Sequence, residues 1–423
     1  MQKPSLDEIR ERAERGDATA QYQLGNIYQQ GLYEQPVDLG QALNWYQAAA
    51  DQDHRDACFN VALITLRILP RQNQSPRADL GLPALEKAAK LGDTEALAFL
   101  GDVLITGEGS VPMDSERGAR CLEQAGEAGE TKAFRVLGAH LMNGDRLAAD
   151  PRRANQLFKR AAEAGDPEAM FQLGVSLQTG RGVSPQPETA RKLFRKAAEA
   201  GHGIAMVNVA VDLFEEDPDA ATRWIMRSAE QGCAAGLYEA GQAYRLGRGV
   251  PADMQRAFQY YRAAAHQDHP DALFSLGLCY EHGGGTEINL AAAEQCYQHA
   301  TMKGHGGAAH NLGIMYVQGK GVEMDRVLAK ELFEYAIACE EDDAMFSMGL
   351  AFAQEEKHED AWMWGVLSVL HRPQGQGQAL LDHLAGQMDE AQRAAAAARA
   401  DQWERPDKTM AFMVTGNKGR RPY

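Results

Sequence analysis

A short phrase, Ala-x-x-x-Leu-Gly, recurs along this 423-residue chain at nearly constant intervals. Full copies end at Gly25, Gly101, Gly138, Gly174, Gly277 and Gly313, and weaker ones at Ala62, Ala210, Gly241 and Gly349. Taking that last residue as an anchor, successive anchors lie 31 to 39 residues apart, and most lie 36 or 37 apart. Such a period is the mark of stacked structural repeats. Each repeat buries its apolar face on its neighbours, which lets a long chain fold without one oversized core.

Two helices fit within each period. In the fifth repeat Ala169, Leu173, Gly174 and Leu177 share one helical face. Glycine inside a helix costs about 1 kcal/mol relative to alanine. Its recurrence, with Ala62 and Ala210 as the exceptions, points to close helix packing. A second glycine six residues on (Gly31, Gly107, Gly144, Gly180, Gly247, Gly283, Gly319) is placed to end the first helix in a left-handed turn. The loop then often reads Gly-x-Gly-Val, and Asp38, Asp114, Asp150, Asp253, Asn289 and Asp325 are placed as N-caps of the second helix. The second helix alternates small and large residues, as in Ala154, Phe158, Ala161. The second repeat carries a longer proline-containing loop, Pro70 to Pro76, and the sixth is short, with Glu215 to Asp219 in place of the glycine loop.

These residues divide the chain into a polar capping helix at 1–15, a repeat array at 16–358, a C-terminal helical cap at 359–405 and a flexible tail at 406–423. The phrase as a whole, seen best in Ala272–Gly304 and Ala308–Ala338, resembles the Sel-one-like repeat (SLR), a relative of the tetratricopeptide repeat. The resemblance spans about residues 16–403. It implies an all-α fold, a right-handed α-solenoid superhelix of about ten helix-turn-helix repeats with helical caps. It also implies use as a protein-binding scaffold or adaptor.

Composition excludes several other roles. A net charge of −16 argues against a nucleic-acid binder, which needs a basic stripe. No apolar run reaches the length of a membrane span. Met1 to Arg10 hold no apolar core of a secretory signal, so a cytoplasmic location is expected. The six cysteines have no Cys-x-x-Cys spacing and read as free thiols. No catalytic motif, metal-spaced set or cofactor site stands out, and of the neighbouring His299, His305 and His310, His310 falls on the first-helix face and His299 on the second helix. The expectation is therefore a non-enzyme without cofactor or metal. A hydrolase or peptidoglycan-active enzyme is the alternative, and it needs an acid/base pair that the sequence does not display.

The candidate site is the face of the first helices, which lines the concave groove in tetratricopeptide architectures. Positions three before and one and four after the anchor project there. They include Tyr22, Phe59, Arg135, Phe171, Val175 and Gln178, then Tyr238, Gln242, Arg245, Phe274, His310 and Phe346. Two uses fit this aromatic stripe: core packing between adjacent first helices, or contact with a protein or peptide partner. An immunity or regulatory protein that sequesters a toxin or enzyme is one version, and the acidic charge suits a basic partner. The basic stretch Lys418 to Tyr423 is a further candidate docking peptide.

Overall fold

The computed structural model describes residues 4–407, and every regular element among them is helical. The expected tail therefore lies outside the described residues from 408 onward. Two compact units divide the chain, Met1–Ala205 and Met206–Tyr423, with the boundary inside the helix Gly203–Leu213.

In the first unit a helix at Leu6–Glu14 precedes four complete helix pairs besides the irregular second one. The first of these pairs, Ala18–Gln30 with Leu39–Asp51, is typical; Pro167–Thr179 with Pro187–Glu199 closes the unit's run of pairs. The second unit carries four regular pairs from Ala234–Leu246 to His358–His371, then two short helices, Gly377–Ala385 and Glu390–Asp401. Counting the irregular second pair and the pair Gly203–Leu213 with Pro218–Glu230, ten pairs accompany the ten anchors. Each connection is short, so the two helices of a pair run antiparallel.

Local chemistry sets the helix ends. All seven glycines after the first helices have φ between 63° and 78°, the left-handed region that glycine enters without a Cβ clash. Asp38, Asp114, Asp150, Asp253, Asn289 and Asp325 each accept a backbone N–H three residues on, as N-caps do. The backbone N–H of the same residue donates back into the first helix, for example Asp253 to Tyr244 O at 2.8 Å and Asn289 to Tyr280 O at 2.8 Å. That bond fixes the loop length and so the angle at which the second helix returns.

The anchor glycine is the seat for the ring of the second helix. A Cβ on Gly174 would sit 2.6 Å from Phe194 Cε1, and one on Gly138 2.7 Å from Phe158 Cε1. Gly25 faces Tyr46, Gly241 faces Tyr261, Gly277 faces Tyr297 and Gly313 faces Phe333 in the same way. All six rings are at most 4% exposed. The second glycine of the Gly-x-Gly loops serves the next interface out. Gly182 lies against the backbone of Pro151, and Gly321 against Leu290, each the first residue of the preceding second helix.

Two departures have clear causes. In the second repeat the loop expected from Pro70 to Pro76 begins only at Gln72, because the helix runs on through Arg71. Helix Arg55–Leu63 continues as a π-turn, Ile64–Ile68, and a last turn, Leu69–Arg71. Thr65 is fully buried there and its hydroxyl bonds Val61 O at 2.6 Å. Pro70 falls in the last helical turn, where it donates no N–H and its ring crowds the carbonyl four residues earlier, next to the π-turn. In the sixth repeat Asp217 caps Pro218–Glu230 and its N–H bonds Leu213 O at 2.8 Å, so one tight turn replaces the glycine loop.

Replacing Gly174 with Ala tests the seat. Helix propensity alone predicts a gain of about 1 kcal/mol, whereas overpacking against Phe194 predicts a net loss of about 1–2 kcal/mol. Urea unfolding monitored by circular dichroism separates the two, and a stabilised variant would refute the packing role.

Candidate interaction surface

Apart from the buried Val207, the side chains three residues before the anchor are half-buried, and in four repeats their inner faces are already used. Tyr22 stacks on His54 at 4.6 Å and Phe171 on His202 at 4.6 Å in the first unit. In the second unit Tyr238 stacks on His269 at 5.0 Å and Phe274 on His305 at 4.5 Å. Each histidine is the N-cap of the next first helix. Nδ1 of His202 accepts from Ala205 N–H at 3.0 Å, and Nδ1 of His305 from Ala308 N–H at 3.0 Å. An accepting Nδ1 places the ring proton on Nε2. That N–H then meets a carboxylate: Glu168 at 3.0 Å for His202, and Asp271 at 3.4 Å for His305. The His202 hydrogen bond holds the Glu168 carboxyl down at about 2, against the raising effect of burial. At the Asp166 cap the partner is a cation rather than a ring. Arg135 donates from Nε to Asp166 at 3.2 Å, and Asp166 caps Pro167–Thr179.

Sequence reasoning missed these caps, yet their signal is there. His54, His202, His269 and His305 all stand eight residues before an anchor, where Asp17, Asp93 and Asp166 stand in other repeats. Each of the four comes after a repeat with an aromatic ring three before its anchor. The aromatic stripe is thus first a seam between neighbouring repeats.

The remaining candidates divide by unit. In the first, Phe59 meets Phe99 edge-on at 6.2 Å, Val175 is half-buried and Gln178 is exposed. In the second, Gln242 donates to the Tyr238 hydroxyl at 2.6 Å and accepts from Arg245 Nε at 2.9 Å, leaving Arg245 exposed. Burial raises the Tyr238 hydroxyl above its usual range, so it stays protonated. His310 and Phe346 come together with Ile314 and Leu350 around a cavity of about 540 Å³. Its walls are Gly306–Gln318 and Asp343–Ala353, and the segment Arg372 to Gln376 forms one rim. His310 Nε2 lies 2.8 Å from Ser347 Oγ, and burial lowers the His310 pKa. Ile314, Val317, Phe333, Phe346 and Leu350 give the lining its apolar part, while exposed Gln354 and the half-exposed Asp343 and Arg372 supply charge and hydrogen-bonding groups. Among the described residues no group of three or more His, Cys, Asp or Glu is placed to hold a metal ion.

The His269 cap carries a pH dependence. Burial lowers the pKa of His269 below its ordinary 6.5, with Asp271 opposing. The unfolded chain then takes up the proton more readily, so this contribution is complete above about pH 7 and is lost as pH falls below 6.5. His269→Asp supplies a cap that stays ionised in that window. Between pH 7.5 and 5.5 the natural chain is expected to lose about 1 kcal/mol more than this variant, the worth of one cap. Equal losses in urea titrations at both pH values would exclude the cap as the cause.

The repeat phrase and this geometry agree with known proteins. The Sel1 repeat family model matches residues 18–54, 94–130, 135–166, 167–202, 234–269, 270–305 and 307–340, more than half of the chain. The unmatched pairs are the second, sixth and tenth, the three with no glycine six residues after the anchor. A solved structure of c5321, a protective antigen of uropathogenic Escherichia coli with an SLR fold, is 24% identical with a TM-score of 0.65. It covers 99% of this chain and 90% of its own, a likeness of fold. A Sel1 repeat protein from Oxalobacter formigenes is 27% identical over 57% of this chain and 96% of its own, TM-score 0.47. An immunity protein of Pseudomonas aeruginosa, Pa5087, is 22% identical over 50% and 82%, TM-score 0.37. Proteins of this repeat class are in general protein-interaction scaffolds. With seven matched repeats in phase with its helix pairs, the chain belongs to the Sel1 repeat family.

Proposed function

We propose that this chain is a non-enzymatic scaffold that holds a protein or peptide against the side chains of its first helices. The cavity between Gly306–Gln318 and Asp343–Ala353 carries this reading, because a concavity lined by apolar side chains with a few polar groups among them is the composition of a binding site. The family's general role supports it. Phe171, Tyr238 and Phe274 offer a partner only their outer edges, since their inner faces rest on histidines. Gln178, Arg245 and Leu350 are exposed and offer whole side chains. The charge of −16 favours a basic partner through faster encounter and fewer wrong ones. Sequestering an enzyme or a toxin, as a regulatory or immunity protein does, is the form of binding we favour.

The test uses exposed positions, where substitution leaves the fold intact. Full-length protein with Gln178→Glu and Leu350→Glu should unfold within about 0.5 kcal/mol of the natural chain. It should retain at least about tenfold less partner from an extract of its native cells. Equal retention by the folded variant would sink the proposed surface.

A further inference from the structure

The same groove of the second unit lies next to the point where the described chain ends. Trp403 packs edge-on against Trp364 at 5.7 Å and against His371 at 6.1 Å. Arg405 then donates to Ile337 O and, at 2.6 Å, to Asp342 Oδ1, with its other contact on His371 at 3.4 Å. The residues next in sequence to those two contacts, Asp343 and Arg372, form an ion pair with each other and line the groove. The chain is thus clamped at the groove's rim two residues before Asp407.

The sequence beyond Asp407 has matching chemistry. Lys408 and Thr409 lead into Met410-Ala-Phe-Met-Val414, a run of five apolar residues in a stretch otherwise of polar, glycine and basic residues. Three residues from Asp407 reach up to about 10 Å, enough to pass the rim. From His310 to Gln318 the floor extends about 12 Å along its helix, a distance that about four residues of extended chain cover. Ile314, Val317, Phe346 and Leu350 offer the apolar surface, and the ion pair of Asp342 with Arg405 holds the last described residues beside it.

We infer that residues 410–414 dock into this groove of their own chain and compete there with the partner. The inference rests on the scaffold reading only for the use of the groove. Full-length protein with the photo-reactive residue p-benzoylphenylalanine in place of Phe412 is irradiated at low micromolar concentration, digested and mapped by mass spectrometry. Linkage within one chain to the peptides holding Ile314, Val317 or Leu350 is expected, and Leu350→Glu should lower its yield about tenfold. Linkage elsewhere, or only in covalent dimers, overturns the inference, the second result assigning the groove to a second copy. In the same full chain Phe412→Asp should raise partner retention. Loss of partner in Leu350→Glu without any 412 linkage would leave the scaffold standing and remove the tail from it.

Discussion

The stack depends on one contact, a ring of the second helix lying on the bare backbone of an anchor glycine. Without a Cβ the two helices close until the ring touches the helix itself, as Phe194 does at Gly174 and Tyr297 at Gly277. Everything else in the repeat serves that approach. The left-handed glycine six residues on turns the chain, the bond from the N-cap N–H fixes the return, and Ala161 and Ala197 at 0% exposure let the next pair come equally close. The helical cost of glycine is offset by burial of a whole aromatic side chain, of the order of 1.5–3 kcal/mol.

Much of this is legible in the sequence because each device repeats in phase. The turn glycines and the Asp or Asn caps can be assigned residue by residue, and each performs the expected role. The continued helix of the second repeat is not legible, since a π-turn has no composition of its own and Pro70 with Gln72 to Pro76 reads as loop. The seat for the ring is legible only in part. The recurrence of a small residue shows that something approaches, but not which of the large residues twenty positions later does so.

The candidate surface is less legible for a different reason. Spacing shows which residues share a helical face, but not what already covers it. Tyr22, Phe171, Tyr238 and Phe274 form one stripe by spacing alone, and the histidines that cover their inner faces lie about thirty residues further on, in the next repeat. The groove beneath Phe346 depends on Arg372 to Gln376, a segment outside the repeat phrase altogether.

The paired seam bears on how such a chain can grow or shrink. One member of each pair, Phe171 or Arg135, belongs to one repeat, and the other, His202 or Asp166, opens the next. A recombination event that removed the repeat from Asp166 to Gly201 would set the Arg135 guanidinium against the His202 imidazole, with the Asp166 carboxylate that now accepts from it gone. The heritable module is therefore not the helix pair. It is the stretch from one ring to the cap it covers, and copies cut elsewhere arrive with mismatched ends.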